Sequence, residues 1–488
     1  MMNTNVKIKL NAASFRDKVY ACWIGKNIGG TMGGPYEGKR EYLDVRGFST
    51  AEGVVLPNDD LDLQLVWLHA VEKMGPLAIN AATLGEFWLS FIVPHWNEYG
   101  LGKNNMVRGL LPPLSGDYEN NWRDSNGAWI RTEVWACMAP GCPEIAAKYS
   151  IEDAKVDHGA GEGTYAAAFV AAMQSAAFVI SDLRTCIDIG LSKIPAESRV
   201  ADSVRLVMEC FDAGKTSREA RDTVLARNAD IGDGWFEAPS NVAYTVLGLL
   251  YGKGDFKQSM IEALNCGDDT DCTGATVGAT MGILGGMAAI PEDWRAHIGD
   301  DIVTISINRG STGGKVPTTC TKLTNRVVAQ TPFVLFANDA YVALTDGEDE
   351  IPADAEEMIR RSVTCAALTP YSMRFEYPFA FVDVVLDGAP DIEPMGEKRV
   401  TIKLINRRNV LDNNPYSLTT RWWLPDGFTV RGKQTAILYH GNSHNPCSGT
   451  LEYTLTAGES VEAVNRCVLE ITAVGRPTPM YIPITLLG

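Results

Sequence analysis

Two short acidic runs have the residue types and spacing to do chemistry. Asn58-Asp59-Asp60-Leu61-Asp62 puts three carboxylates and an amide into five residues, just ahead of an apolar run at helical spacing (Leu61, Leu65, Leu68, Val71). Asn265-Cys266-Gly267-Asp268-Asp269-Thr270-Asp271-Cys272-Thr273 repeats the theme ahead of the small-residue helix TGATVGATMGILGG at 273–286. Like charges this close repel unless a cation reverses the balance. Helix capping is the alternative for both runs, since Asn and Asp cap well and acids favour the positive end of the helix dipole. The second run is harder to explain as a cap. Its helix reads as buried all round, and no Lys or Arg lies between Lys257 and Arg295 to neutralise the acids. A hard divalent ion with oxygen ligands, Mg²⁺ or Mn²⁺, is the simplest compensation.

Two glycine-bearing stretches accompany the acids. Gly25-Lys26-Asn27-Ile28-Gly29-Gly30-Thr31-Met32-Gly33-Gly34-Pro35-Tyr36-Glu37-Gly38 lets backbone approach a ligand, with Glu37 facing it, or forms a tight turn between helices. It lacks P-loop spacing and follows no strand. Asp157-His158-Gly159-Ala160-Gly161-Glu162-Gly163 precedes an Ala-rich helix, with His158 a substrate contact or a buried hydrogen-bonding group.

These residues must be positioned by helices. Up to about Pro317 the chain is rich in Ala, Gly, Leu and Met at steps of three and four, with the first helix starting near Ser14 as its N-cap. From about Ser372 the texture becomes short alternating runs (FAFVDVVLDG, KRVTIKLINR, GTLEYTLTAG, NRCVLEITAVG) bounded by turn residues, which predicts an antiparallel β-sandwich of the immunoglobulin-like kind. The expected division is an all-α domain over 1–320, a helical connector over 321–370 and a β-sandwich over 371–488. The polar, Gly-rich INRGSTGGKVP reads as a loop.

Composition narrows the function classes. With 60 acidic and 43 basic residues the net charge is −17, which argues against a nucleic-acid backbone as partner. No run approaches the roughly 20 apolar residues of a membrane span, and the start lacks a signal-peptide core. Eleven scattered cysteines without a CxxC pair fit buried thiols in a reducing cytoplasm.

The ordered set GKNIGGTMGGPYEG, NDD before a helix, GAWIR at 127–131, DHGAGEG and CGDDTDCTGATVGA resembles the ADP-ribosylglycohydrolase family over roughly residues 14–295. The resemblance implies an all-α domain with a binuclear Mg²⁺ or Mn²⁺ centre. By position it gives metal-ligand places to Asn58, Asp59, Asp60, Asp269, Asp271 and Cys272. It implies catalytic places for Glu37, Asp59, Asp60 and Asp269, and substrate-binding places for Gly33, Gly127, Arg131, His158 and Gly161. Three positions depart from the family pattern: Asn58 replaces a hydroxyl residue, Cys272 a threonine, and Gly30 an acidic residue. The implied reaction is hydrolysis of a ribosyl glycosidic bond of an ADP-ribosylated substrate, through oxocarbenium-like charge, with two ions about 3.5–4 Å apart orienting ribose hydroxyls and water. Trp96, Tyr99 and Trp122 are candidates to stack on a base. An inactive ADP-ribose-binding or structural relative, or a hydrolase of another ribosyl or sugar substrate, is the alternative.

Overall fold

The computed structural model describes residues 6–232, 235–308, 316–361, 363, 365–407, 415–439, 447–476 and 478–488. The chain forms two compact units. One comprises Met1–Lys103 with Asn120–Leu368, the other Asn104–Glu119 with Thr369–Gly488. Most of the stretch read from sequence as a polar loop, 309–315, lies outside the described residues.

The first unit is helical. Its elements that matter for the site are α1 (Ala12–Gly33), α2 (Asp59–Met74), α3 (Asn97–Val107, of which Asn97–Lys103 belongs to this unit), α4 (Glu162–Ala176), α5 (Ala238–Tyr251), α6 (Thr270–Gly285) and α7 (Cys320–Ala337). The cap of α1 is Asn11, whose side chain accepts from the Ser14 N–H, rather than Ser14 as the sequence suggests. The amide oxygen one residue before the helix reaches the third helical N–H, which satisfies a donor left free at every helix start. The glycine run after Gly25 is no turn; α1 continues through it to Gly33.

The reason lies in α6. A Cβ on Gly25 would come 2.1 Å from the Gly278 carbonyl oxygen, one on Gly29 2.1 Å from that of Gly274, and one on Gly33 2.3 Å from that of Thr270. In return, a Cβ on Gly282 would meet the Ala21 carbonyl oxygen at 2.4 Å. As one number rises the other falls, so α1 and α6 run antiparallel, backbone against backbone. Glycine weakens a helix by about 1 kcal/mol relative to alanine, and here that cost is offset by a close interhelical approach. The C-terminal end of α1, which leads to Glu37, therefore meets the N-terminal end of α6, which carries Asp269 and Asp271. Helix α7 packs on α1, and a short parallel pair, β1 (Ile8–Asn11) with β2 (Val342–Thr345), runs in the register Ile8↔Val342.

The second unit holds two antiparallel sheets. One has the order β3 (Ser372–Glu376), β4 (Ala380–Leu386), β5 (Glu397–Asn406), β9 (Ser448–Thr456), β7 (Thr429–Gly432). The other has the order β11 (Met480–Leu487), β10 (Val464–Ala473), β6 (Tyr416–Trp423), β8 (Thr435–Leu438). Alternate residues turn inward, as period-two patterning requires. Val384 pairs with Ile402, Ile402 with Leu451, and Leu469 with Ile482, all buried in one apolar cluster that includes residues of both sheets. Leu110, Leu114 and Tyr118 join that cluster from Asn104–Glu119. Among the described residues no helix is long and apolar enough to cross a membrane.

Candidate metal centre

The two acidic runs converge. Each opens a helix, α2 or α6, yet the acids meet different fates. Asn58 is the N-cap of α2, its Oδ1 accepting from the Asp60 N–H at 2.7 Å, so capping accounts for that residue. Its Nδ2 fills the space beside Gly30, where a Cβ would stand 1.8 Å away. The two positions are one packing arrangement: Asn58 fits because Gly30 carries no side chain.

The three acids that follow point three ways. Asp59 lines a cavity and accepts from the Tyr99 hydroxyl at 2.9 Å. Asp60 is fully buried and faces Lys26 and Cys272: its Oδ2 lies 3.6 Å from the Lys26 Nζ, and the Cys272 thiol donates to its Oδ1 at 3.3 Å. Asp62 turns away from both. Its Oδ2 accepts from the Ile305 and Ser306 N–H groups, each at 2.6 Å, and from the Ser306 hydroxyl at 3.0 Å. It pins that segment to α2.

At α6, Asp269 occupies the N-cap position but makes no side-chain cap, which leaves its carboxylate for the site. Asn126 donates to its Oδ2 at 2.6 Å, with the Asn126 amide held in that orientation by the Trp129 indole at 2.9 Å. Asp268 takes no part. It has φ +65°, and its carboxylate accepts from the Asn241 amide at 3.0 Å.

Two groups of potential ligands result, Asp60 with Asp271 and Cys272, and Glu37 with Asp269 and Asp271. Within each group one atom per residue lies within 4.8 Å of the others, and Asp271 belongs to both. The Asp60 Oδ2 and Asp271 Oδ1 are buried without a hydrogen-bond partner. An anionic oxygen left this way is expensive, so the donor set fits a hard cation. The electrostatics agree. Burial first, then the charge of Asp271, raises the Asp59 carboxyl to about 6. Glu37, exposed at the cavity mouth, is raised to about 8, by Asp271 first and partial burial second. Burial pushes Asp60 and Asp269 well above the usual carboxylate range, with Asp271 adding to it. Lys26 opposes the shift at Asp60.

Glu37, Asp59, Asp269, Asp271 and Cys272 line a cavity of about 730 Å³. Gly30, Gly34, Tyr99, Ser125, Gly127 and Trp96 also line it, Trp96 being 46% exposed and stacked on Tyr99 with ring centroids 6.4 Å apart. Among the described residues its wall holds no Lys or Arg.

The remaining expected site residues fall elsewhere. Arg131 is fully buried, bonded to Asp157 through NH2 at 2.8 Å and NH1 at 3.1 Å, and to Asp153 through Nε at 3.1 Å, and does not line the cavity. His158 is also fully buried, its Nδ1 2.9 Å from the Asp157 Oδ1 and its Nε2 3.3 Å from the Ser125 Oγ, so it stands behind the wall. Burial would raise Asp157, but Arg131 and His158 outweigh it and hold the carboxyl near 2. Gly161 packs on the Arg123 carbonyl, where a Cβ would come within 2.3 Å, and Gly33 on α6. Trp122 does not line the cavity either.

Sequence reasoning did not find Lys26 or Glu98. Glu98 is 6% exposed in the cavity wall, and its Oε2 has no partner. Its Oε1 lies where a Cβ on Gly127 would come within 2.1 Å, so the glycine makes room for the acid.

The family model of the ADP-ribosylglycohydrolases matches residues 11–323. The chain belongs to the ADP-ribosylglycohydrolase family. The match spans the helices and loops that bring both acid groups together and stops short of the strands β3–β11. Among solved structures, an ADP-ribosylglycohydrolase-related protein complex is similar at 19% identity, covering 66% of this chain and 99% of that one, with a TM-score of 0.42. A FixG-related protein from Vibrio parahaemolyticus matches at 15% identity over 23% of this chain and 97% of its own, with a TM-score of 0.19. No curated protein matches the chain.

Proposed function

We propose that this ADP-ribosylglycohydrolase family member is a metal-dependent hydrolase of a ribosyl glycosidic bond, with an ADP-ribosylated molecule as the expected substrate. The observation that carries the reading is the pair of acid groups sharing Asp271, with unpartnered buried oxygens, beside a cavity of about 730 Å³. Glu37, Asp269 and Asp271 would hold Mg²⁺ or Mn²⁺. Such an ion supplies Lewis acidity and a water of lowered pKa.

The chain's own residues do the rest. Asn126 and Tyr99 hold Asp269 and Asp59 in fixed orientation, so that little reorganisation is needed on binding. Glu37, raised to about 8 by Asp271 and partial burial when no cation is bound, would be held ionised as a ligand at the mouth. Trp96 offers a ring face to an adenine or a similar planar group. Arg131 and His158 act as positioning residues through Gly127 and Ser125. The division into a helical part to 320, a connector over 321–370 and an immunoglobulin-like β part from 371 belongs to the same proposal. The two antiparallel sheets sharing an apolar cluster support its last element.

The test is release of ADP-ribose or ribose from a panel of ADP-ribosylated peptides, ADP-ribose conjugates and nucleosides, with Mg²⁺ and after chelation. Asp271→Ala should lose both bound metal and turnover while keeping its circular dichroism spectrum. Wild-type turnover unaffected by chelator, or full activity of the variant, refutes the reading. ADP-ribose binding without turnover on any substrate would make the chain a binding relative instead.

A further inference from the structure

The two donor groups that share Asp271 are unequal, and the difference bears on how many ions the site holds. This inference rests on the metal-dependent reading above. Glu37, Asp269 and Asp271 offer three carboxylates. The other group replaces a carboxylate by the Cys272 thiol, which donates to the Asp60 Oδ1 at 3.3 Å and so is engaged as a protonated donor. Sulfur is also a poor match to a hard ion.

That second group abuts a fixed cation. Lys26 is fully buried on α1, its Nζ bonded to the Ile130 carbonyl at 2.7 Å and the Glu133 Oε1 at 3.1 Å, and 3.6 Å from the Asp60 Oδ2. An ammonium has three N–H donors; two are used at Ile130 and Glu133, and the Asp60 Oδ2 faces the group at ion-pair distance. Glu133 is held in turn by the Gln64 amide at 2.8 Å and the Gln174 amide at 3.2 Å. The lysine is fully buried, and its charge is fixed beside Asp60 by these bonds.

We propose that the Lys26 ammonium takes the electrostatic place of one cation, so that this chain holds a single divalent ion, on Glu37, Asp269 and Asp271, while Asp60 is the counter-ion of Lys26. A second divalent ion on Asp60 would sit one carboxylate away from a buried like charge, where little solvent screens the repulsion. The unpartnered Asp271 Oδ1 remains for the single ion.

The test is metal stoichiometry. The full chain, stripped with chelator, is titrated with Mn²⁺ alone and followed by calorimetry and by electron paramagnetic resonance. One Mn²⁺ per chain with the six-line spectrum of an isolated ion is expected. Two ions per chain with a spin-coupled spectrum overturn the inference and leave the metal reading intact, whereas no Mn²⁺ binding at all overturns the metal reading itself. In the same titration Asp60→Asn should keep one ion at nearly unchanged Kd, while Asp269→Asn weakens it by about 100-fold or more; equal losses in the two count against the assignment. Lys26→Met, which removes the charge, should admit a second ion if it folds. If it does not, the wild-type count and the Asp60/Asp269 comparison still decide.

Discussion

Stripping the divalent ion should leave the helical unit progressively less stable as pH rises, and restoring the ion should reverse this. The size can be worked at Asp59, raised from 3.8 to about 6 by burial and by Asp271. A carboxyl whose folded pKa exceeds its unfolded value binds its proton more tightly in the native state. The penalty is absent below the unfolded pKa, grows between about pH 4 and pH 6, and is complete above that. A shift of about 2 units at roughly 1.4 kcal/mol each amounts to about 3 kcal/mol. Glu37, raised to about 8, extends the window upward, with a smaller share because it is exposed to solvent. A bound cation requires the ionised carboxylates, so its stabilisation should appear over the same range in which the penalty does. With an unfolding entropy of about 2 cal/mol/K per residue over about 350 residues, about 3 kcal/mol corresponds to a Tm change of about 4 °C. Differential scanning fluorimetry of chelator-treated protein, with and without millimolar Mg²⁺, would read it. The Mg²⁺-induced rise in Tm should be about 4 °C or more near pH 8 and small near pH 5. Equal rises at the two pH values, or none near pH 8, would refute the reasoning.

Two further outcomes are expected. Gly278→Ala places a methyl about 2.1 Å from the Gly25 carbonyl oxygen; despite a gain of about 1 kcal/mol in helix propensity, the net loss should be about 1–3 kcal/mol by denaturant titration, and a stability equal to or above wild type would show that α1 and α6 are not in such close contact. Asp62→Ala removes the acceptor for the Ile305 and Ser306 amides; hydrogen exchange at those two amides should accelerate and stability fall by about 1–3 kcal/mol, with Mn²⁺ stoichiometry unchanged, and loss of the metal would mean that Asp62 belongs to the site after all.

The chemistry of the acids was legible from the sequence, and their arrangement only in part. Asp60, Asp269 and Asp271 could be named because like charges crowded at helix starts need compensation wherever the chain takes them, whereas Glu37 came from the glycine stretch and Cys272 from the family resemblance alone. Lys26 could not be picked out as the neighbour of Asp60. It lies on α1 and Asp60 on α2, and only the tertiary approach of those two helices brings the pair together. The run Asp59, Asp60, Asp62 gives no hint of which carboxylate enters the cavity, because three positions within one helical turn face three directions and tertiary packing decides among them. Arg131 and His158 have residue types that suit a substrate, yet both are satisfied inside the protein by Asp153, Asp157 and Ser125. The alternating strands from Ala380 onward read directly as sheet. The attachment of Asn104–Glu119 to the β unit does not show, since Leu110, Leu114 and Tyr118 carry no period that names their partner.

Because α1 and α6 touch through peptide groups, the gap between Glu37 and Asp271 is gauged by bond lengths and carbonyl radii, which mutation cannot alter, and not by side chains, which drift. Substitutions elsewhere in the core can be absorbed by neighbours without reaching the ligands. A single methyl group on the interlocked face would act like a shim, prising open the ends of both helices and with them the carboxylates they carry.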